Sequence, residues 1–344
     1  MSLIDNKERQ DSTFTVSVVI PAYNIGKLVA RAIDSVLAQT HKADEIVVVD
    51  DGSTDDTASV IKSYGSKVKY IYQENLGLAG ARNTGIKAAG CEWVAFLDAD
   101  DEWLPDNLKL QMEVLRRNPQ LFWSAGNFEN FLAGSNRRNP YIRYEKGLKL
   151  LAGKDYFDDF FYAYINDAAG NANTMIIKRS ILHEAGLFRG ELPFAEDTDL
   201  WFRIAIQWPQ IGFVPQPVAV YHLQRPGSLM DFTKSAKRLE VISDIIERSV
   251  VLAKEHDRMD KFAPCASFLL RRVIRSSLFE HTSAAVVRDI LKRFDDLFTI
   301  RYKTFIRFCT GFPRATAFVL HLISRIVRAL HLRRRVVRPP GHSR

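Results

Sequence analysis

Strand-like and helix-like segments alternate between residues 14 and 222, and this alternation limits the possible folds more than any other feature of the sequence. Residues 16–20, 45–49 and 93–97 are short apolar runs, and the first two are rich in β-branched residues. Helical spacing of apolar residues appears between these runs. Such a pattern is typical of βαβ units, which build a largely parallel sheet with helices on both faces. We therefore predict an α/β fold.

The same pattern predicts the remaining elements and the domain limits. Beyond residue 228 the chain has few turn signals and is predicted to be helical. The predicted regions are a polar tail over 1–13, an α/β domain over 14–228, a helical extension over 229–310 and a basic amphipathic tail over 311–344. Further strands are predicted at 68–72, 121–128, 174–178 and 213–221, further helices at 58–64, 79–89, 106–117 and 196–207, and a polar excursion at 137–154.

The charge of the chain is unevenly distributed. The net charge is +8, yet residues 301–344 carry 11 Lys or Arg and no Asp or Glu, while the first 300 residues hold 37 basic and 40 acidic residues. A basic segment of this kind predicts a polyanionic partner, either a membrane surface or nucleic acid. The three cysteines are far apart, the N-terminus is polar, and no run of about 20 apolar residues occurs, so we expect a cytoplasmic protein.

Three carboxylates follow the apolar run at 93–97 directly. Asp98, Asp100 and Asp101 lie where ligands gather in an open α/β sheet, outside the carboxyl ends of the strands. Like charges repel unless a cation or hydrogen-bond donors neutralise them, and Mg²⁺ prefers carboxylate oxygen. The cluster predicts a metal and phosphate site. Helix capping before Pro105 is the plainer alternative, and it explains one Asp rather than three.

A second pair of acids, Asp50 and Asp51, follows the run at 45–49. Asp55 and Asp56 have a sufficient explanation at the positive end of the next helix. Asp50 and Asp51 have no such explanation; beside Gly52, they are placed to accept hydrogen bonds from a nucleobase or a ribose hydroxyl.

Two further segments are ambiguous when taken alone. The glycine-spaced loop at 77–85 lacks the dinucleotide-binding spacing, so it either presents backbone N–H groups and Arg82 to phosphate or permits close helix packing at Gly80. Glu196 and Asp197 lead into an amphipathic helix, where helix-dipole effects alone attract acids.

Together, these motifs resemble the glycosyltransferase family 2 enzymes, which adopt the Rossmann-like, nucleotide-sugar-binding GT-A fold. Five motifs stand in the family's order across about two thirds of the chain, and the ordered set is highly specific. They are Val18–Asn24 (VVIPAYN), Val48–Thr57 (VVDDGSTDDT), Asn75–Gly85 (NLGLAGARNTG), Phe96–Asp101 (FLDADD) and Glu196–Trp201 (EDTDLW).

The resemblance implies roles for individual residues. Asp51 should contact the base, Asp98 the ribose, and Asp100 the divalent ion, Mg²⁺ or Mn²⁺, that bridges the diphosphate. Asp197 matches the family's general base. The other residues expected in the donor pocket are Pro21, Ala22, Tyr23, Asn24, Asp50, Arg82, Ala99 and Glu196.

One motif departs from the family. Many relatives place a His near the diphosphate at the register set by Pro226-Gly227-Ser228, where this chain has Arg225. His222 lies three residues earlier. Either His222 reaches the metal or Arg225 stabilises the diphosphate, and the second is favoured because guanidinium suits phosphate; His222 as a plain strand-end residue is the third alternative.

The predicted function is inverting transfer of a sugar from a nucleotide sugar, UDP being the commonest donor nucleotide, to a hydroxyl of a glycan or lipid-linked acceptor. A role in cell-surface glycan or polysaccharide synthesis follows from the family. The chain lacks the Gln-x-x-Arg-Trp motif of processive members, so one or a few sugars should be added, and Asn171, Asn173 and Thr174 are candidates for acceptor recognition. A non-catalytic nucleotide-sugar-binding protein is the alternative. Nucleic-acid binding is disfavoured because no such motif occurs.

The tail is predicted to lie on an anionic membrane at the inner face of the cell. From Arg314 onward, Arg and His residues share one helical face, and apolar residues share the other. Such a stripe is more often a core-packing face, but a uniformly basic polar face suits an interfacial helix.

Overall fold

The computed structural model describes residues 14–132, 137–223, 235–279 and 284–311. Ten strands in this part of the chain form one sheet. The strands are β1 (Val16–Ala22), β2 (Glu45–Asp51), β3 (Lys69–Gln73), β4 (Trp93–Phe96), β5 (Glu102–Trp103), β6 (Trp123–Leu132), β7 (Arg137–Pro140), β8 (Tyr156–Phe157), β9 (Ile176–Lys178) and β10 (Ile211–Leu223).

Helices connect most of these strands and continue beyond the last one. They are α1 (Gly26–Leu37), α2 (Thr57–Lys62), α3 (Gly77–Ala88), α4 (Asn107–Arg117), α5 (Tyr144–Leu151), α6 (Phe160–Ile165), α7 (Arg179–Glu184), α8 (Glu196–Gln207), α9 (Ser235–Glu255), α10 (Met259–Phe279), α11 (Ala284–Arg293) and α12 (Ile300–Gly311).

The sheet is mixed, and its longest ladders are parallel. The strand order is β3-β2-β1-β4-β9-β6-β10-β5, with β7 pairing with β6 and β8 with β10. The pairs β1–β2, β2–β3, β1–β4 and β6–β10 are parallel, whereas the antiparallel pairs join two to four residues each. The predicted α/β fold with a mixed, mostly parallel sheet is confirmed.

Helices cover both faces of the sheet at β1 and β2 because the interiors of these strands are apolar on both sides. Val18 and Ile20 of β1 face a core that contains Val29 and Ile33 of α1, and Val47 and Val49 of β2 pack with Ala81 of α3 on the other face. Helix α3 lies very close to β1. A Cβ at Gly85 would lie 2.2 Å from Cγ1 of Val19, so the close packing proposed for Gly80 belongs to Gly85.

The segment at 137–154 differs from its prediction as a polar excursion. It contains strand β7 and helix α5. Strand β7 could not be predicted from an apolar pattern because all four of its residues are exposed. The strands that the sequence predicted elsewhere are present within a few residues of their expected limits.

The chain forms two compact units. The first comprises residues 1–231 and 248–265 and holds the sheet, and the second comprises 232–247 and 266–344. The predicted boundary near residue 228 lies outside the described residues. Within the described ranges, no helix is long and apolar enough to cross a membrane.

Candidate functional site

Three neighbouring parallel strands end at the same edge of the sheet. Ala22, the last residue of β1, is paired with Asp50 of β2, whereas β4 ends at Phe96, opposite Val19, so the loop after β4 begins beside the last residues of β1. Neighbouring strands lie about 4.8 Å apart. The residues that follow β1, β2 and β4 therefore border one shallow region, as expected from their sequence positions.

The loops after β1 and β2 are tied to each other. The backbone N–H of Asn24 donates to Oγ of Ser53 over 3.0 Å, and Oδ1 of Asn24 accepts from the N–H of Thr54 over 2.8 Å. Pro21 and Ala22 are buried, whereas the Tyr23 ring is half exposed at the mouth of this region. Of the four residues predicted here, Tyr23 and Asn24 are exposed, whereas Pro21 and Ala22 are buried.

Asp50 and Asp51 have different surroundings. Asp50 is fully buried, and its carboxylate accepts from the N–H of Ser53 over 3.0 Å and from the Tyr70 hydroxyl over 2.9 Å. This corrects the expectation that Asp50 has no structural explanation. Asp51 accepts from Nε2 of Gln73 over 2.6 Å and from the N–H of Leu76 over 2.8 Å, both through Oδ1. These donors hold Asp51 in place.

Gly52 permits the turn that follows Asp51. Its φ is +79°, and a Cβ at this position would lie 2.9 Å from the backbone nitrogen of Asn75. Only glycine combines that backbone conformation with so close an approach. The turn thereby brings the loop before α3 against the end of β2.

The acidic loop after β4 is held from inside by Asn173. Oδ1 of Asn173 accepts from the N–H of Asp98 over 2.7 Å, and its Nδ2 donates to Oδ2 of the buried Asp101. The N–H of His222 donates to the other oxygen of Asp101 over 2.8 Å. Arg31 donates to the backbone carbonyl of Asp100. The loop is therefore fixed while the side chains of Asp98 and Asp100 stay partly exposed.

Asn173 and Thr174 are buried, which corrects their assignment to acceptor recognition. Asn173 supports the acidic loop, and Thr174 bonds to the backbone of Asn171. Asn171, by contrast, is only partly buried.

Asp101 is the most perturbed carboxyl of this group. Burial, followed by the charges of Asp100 and Asp98, raises the pKa of Asp101 to about 9. A carboxyl in this environment is stabilised in its protonated form at neutral pH. The residues around these crowded acids therefore supply too little positive charge to neutralise them.

Arg82 does not reach out to solvent as a phosphate ligand would. Its guanidinium is 2% exposed and donates to Oδ1 of Asp98 and Oε1 of Glu196, each over 2.7 Å. Burial lowers the pKa of Arg82, but the charges of Asp98, Glu196 and Asp197 outweigh burial and raise it. The interpretation of Arg82 as a direct phosphate partner is corrected: Arg82 links the end of β4 to the start of α8, and its partner Glu196 lies 114 residues further along the sequence.

Asp197 lies in the first turn of α8, next to Glu196. Ala195, the residue just before α8, has φ +58°. This left-handed conformation is unfavourable for alanine and is typical of functional sites. Oδ1 of Asp197 accepts from the N–H of Thr198 over 2.6 Å, and the side chain is partly exposed. Asp199, in contrast, is buried in ion pairs with Arg189 and Arg203, so it is structural.

Tyr221 is influenced by several of these acids, although no sequence motif selects it. The pKa of its phenol is raised to about 12, first by burial and then by four carboxylates, those of Asp101, Asp98, Asp100 and Asp197. Charges act on a pKa over short distances. The acidic loop after β4 and the start of α8 therefore face the same phenol on β10.

His222 lies beside this group on β10. Burial, followed by the charge of Arg31, lowers its pKa and favours the neutral ring. Its Nε2 is buried, has no hydrogen-bond partner among the described residues, and lies 3.5 Å from Oε1 of Glu102. The described residues contain no cluster of three or more His, Cys, Asp or Glu side chains arranged as a metal cage. Arg225 and the predicted tail from 312 lie outside the described residues.

Comparison with known proteins shows which family and which relatives the sequence resembles. The model of the family described as glycosyl transferase family 2 matches residues 17–184. The chain is 36% identical over 245 residues to WfgD, the Escherichia coli UDP-Glc:alpha-D-GlcNAc-diphosphoundecaprenol beta-1,3-glucosyltransferase. The aligned region covers 68% of this chain and 87% of WfgD. It is 32–35% identical to uncharacterized glycosyltransferases of four Rickettsia species, of whose length it spans 31–58%.

Two solved structures share the fold at low sequence identity. The crystal structure of S. aureus TarS 1-349 in complex with UDP is 19% identical, with a TM-score of 0.61 and coverage of 88% of each chain. The mannosyltransferase PcManGT from Pyrobaculum calidifontis, in complex with GDP-Man and Mn²⁺, is 17% identical, with a TM-score of 0.52 and coverage of 88% of this chain and 86% of that one.

Proposed function

The chain belongs to glycosyltransferase family 2, and from that membership we propose that it transfers a sugar from a UDP-sugar to a hydroxyl group with inversion at the anomeric carbon. UDP is favoured because WfgD is named for a UDP-sugar donor and the TarS structure contains UDP. The acids at the ends of β2 and β4 would receive the donor, and the start of α8 would face the acceptor.

One observation carries this proposal. Asp98 and Asp100 lie in the loop after β4 and Asp197 lies in the first turn of α8, yet all three raise the pKa of the same phenol, Tyr221. Arg82 bridges Asp98 to Glu196, next to Asp197. A donor held at Asp98 would therefore lie beside the carboxylate assigned as the base, as direct displacement requires.

Asp197 acts as the general base in this proposal. Its carboxylate takes the proton of the acceptor hydroxyl while that oxygen bonds to the anomeric carbon, and the bond from that carbon to the diphosphate oxygen breaks. UDP leaves with the electron pair of the broken bond. The N–H of Thr198 holds one oxygen of Asp197, which leaves the other to accept the proton.

The donor would be positioned by groups that the fold holds rigidly. Asp51, fixed through Oδ1 by Gln73 and Leu76, is assigned to the nucleobase, and the exposed ring of Tyr23 lies at the mouth of the same region. Asp98, held by Arg82, is assigned to the ribose. Ala99 is buried and would contribute backbone rather than side chain.

A divalent cation fits the acidic loop after β4. Asp100 would hold Mg²⁺ or Mn²⁺, and Nε2 of His222, which lies 3.5 Å from Oε1 of Glu102, is the second candidate ligand. Two protein ligands suffice where a diphosphate and water complete the coordination, as is usual for Mg²⁺. When bound, the cation neutralises charge on the departing diphosphate.

The acceptor and its location form the last part of the proposal. The acceptor named for WfgD is a diphosphoundecaprenol-linked GlcNAc, which supports a lipid-linked acceptor for this chain as well. We assign the protein to the inner face of the cell membrane, with the basic tail over 311–344 as an anchor and a role in surface polysaccharide synthesis.

A donor screen tests the proposal directly. The protein is incubated with UDP-, GDP- and dTDP-sugars, with Mn²⁺ or EDTA, and with a GlcNAc-diphospho-lipid acceptor, and release of nucleoside diphosphate is measured. We expect cation-dependent, acceptor-stimulated release from a UDP-sugar, lost in Asp197→Asn. Binding of a nucleotide sugar without any release would instead favour a non-catalytic binding protein.

A further inference from the structure

A basic and aromatic surface on the first unit has no role in the chemistry described above. Residues 137–149 contain five Arg or Lys and one Glu. Three large side chains in or beside α5 are more than two fifths exposed, namely Tyr141, Tyr144 and Leu148. Exposed apolar groups surrounded by cations are typical of helices that lie in a membrane interface. We define the α5 surface as Tyr141, Arg143, Tyr144, Leu148 and Lys149.

The fold holds the α5 surface outward. Helix α5 packs through Gly147, where a Cβ would lie 2.9 Å from Cβ of Pro215 on β10. The preceding Ile142 is buried, and both its N–H and its carbonyl bond to the side chain of Asn127, over 3.2 and 2.7 Å. Tyr144 and Leu148 are four residues apart and so share one face of α5.

The charge on the α5 surface is only partly neutralised by the protein. Arg138 pairs with Glu102, and Lys146 lies 3.8 Å from Asp167. Arg143 and Lys149 are exposed and form no ion pair with any residue that the structure describes. Unpaired cations beside exposed tyrosines complement an anionic lipid surface, whereas a face that packs on protein carries few unpaired lysines.

The α5 surface adjoins the candidate active site. The Tyr141 ring stacks on Phe128 with centroids 4.6 Å apart, and Phe128 lies 6.2 Å from the ring of Tyr221. Tyr221 faces the carboxylates of the site. A bilayer that contacts the α5 surface would therefore lie next to the region where the acceptor must enter.

We propose that the α5 surface docks the first unit on an anionic lipid bilayer and so presents the active site to an acceptor in that bilayer. Tyr144 and Leu148 enter the headgroup boundary, and Arg143 and Lys149 pair with lipid phosphates. The inference goes beyond the proposed function, because vesicle binding by this surface requires no sugar transfer. It also requires no contribution from the tail over 311–344.

Vesicle flotation of the full chain tests the proposal. Vesicles of phosphatidylcholine alone and of phosphatidylcholine with phosphatidylglycerol are compared for the wild type, for the double variant Arg143→Glu with Lys149→Glu, and for Tyr144→Ser with Leu148→Ser. Lys67→Glu with Lys87→Glu is the matched control, since both lysines are exposed and without ion pairs among the described residues. We expect the charge variant to bind anionic vesicles at least about tenfold more weakly, since each basic residue near an anionic lipid surface adds to the affinity.

The remaining outcomes are equally informative. The serine variant should bind more weakly as well, and the control variant should lose clearly less. Equal losses in the control and the α5 charge variant, or loss only on truncation at Gly311, would overturn the proposal. UDP release in the presence of a soluble acceptor separates this proposal from the proposed function, because it should be unchanged in both α5 variants, and circular dichroism melting shows that they are folded.

Discussion

The ends of β2 and β4 both carry consecutive acids, but they neutralise them differently. At β2, Asp50 and Asp51 accept from a hydroxyl, an amide side chain and backbone N–H groups. At β4, Asp98 is paired with the guanidinium of Arg82, and Asp101 is crowded by its neighbours until its pKa rises to about 9. The acids at the end of β2 accept from neutral hydrogen-bond donors, whereas Asp101 at the end of β4 stays crowded by the charges of Asp100 and Asp98.

This difference supports our proposal that the two ends bind different parts of a nucleotide sugar. Carboxylates held by neutral donors have a fixed orientation and can select an uncharged nucleobase through hydrogen bonds. Excess negative charge at the end of β4 instead calls for a cation, which in turn attracts a diphosphate. The base should therefore bind near β2 and the diphosphate near β4.

The largest effect should separate catalysis from binding. Asp197→Asn removes the proposed base beside the β4 end, so we expect kcat to fall by about 10²- to 10⁴-fold while donor affinity changes little. Asp51→Asn should weaken donor affinity, because Asp51 is the proposed contact to the nucleobase at the end of β2. Steady-state UDP release and isothermal titration measure the two quantities. Retention of kcat in Asp197→Asn would exclude its role as the base.

The next effect concerns the stability of the β4 end. Arg82→Met leaves Asp98 and Glu196 without their buried cation, and removal of one partner from such a pair costs about 3–5 kcal/mol of unfolding free energy. The control is Arg117→Met, whose ion pair with Asp155 is exposed and contributes less than about 1 kcal/mol. Urea titrations compare them, and equal losses would show that the Arg82 bridge has no special importance.

Asn173 and Tyr70 offer a smaller test, one at each end. Asn173→Ala removes the support of both Asp98 and Asp101, so we expect a loss of about 1–3 kcal/mol. Tyr70→Phe removes only the hydroxyl that donates to Asp50 and should cost about 0.5–1.5 kcal/mol. If Tyr70→Phe proved the more damaging in thermal or urea unfolding, the end of β2 would depend on its partners more than the end of β4.

The last prediction is a pH dependence at Asp101. Its folded pKa of about 9 lies above the unfolded value, so its contribution to stability is fully present below the unfolded pKa and is lost as pH rises toward 9. The unfolding free energy of the wild type minus that of Asp101→Asn, measured in EDTA, should therefore fall between pH 5 and 8, by at most about 1.4 kcal/mol per pH unit. A flat or rising difference would contradict the crowding at β4.

Local pattern was sufficient to predict the sheet and the acids at its edge. Runs of β-branched residues mark buried strands, and acids directly after such runs must lie at the strand ends. Helix α8 was predicted at its observed limits, Glu196–Gln207, because its apolar spacing is regular. Strand β7 escaped prediction because all four of its residues are exposed and none marks a buried strand, and helix α5 escaped because it is short and contains Gly147.

The connections inside the site depended on the folded structure. Arg82 has an ordinary position in a helix, and its partners Asp98 and Glu196 become evident only when α8 packs near β4. Asn173 and Tyr221 carry no motif. A buried amide that bonds both Asp98 and Asp101, and a phenol surrounded by carboxylates, are consequences of tertiary packing that spacing along the chain does not encode.

The affinity for UDP with and without Mn²⁺, measured by calorimetry, tests most directly whether the acids after β4 form a cation-dependent donor site. The wild type should bind UDP at least about tenfold more tightly with Mn²⁺ than in EDTA, a difference of about 1.4 kcal/mol. Asp100→Asn should lose this enhancement, whereas Asp51→Asn should keep it at lower overall affinity. Equal affinity of the wild type in Mn²⁺ and in EDTA, or loss of the enhancement in Asp51→Asn alone, would contradict the assignment of the cation to the end of β4.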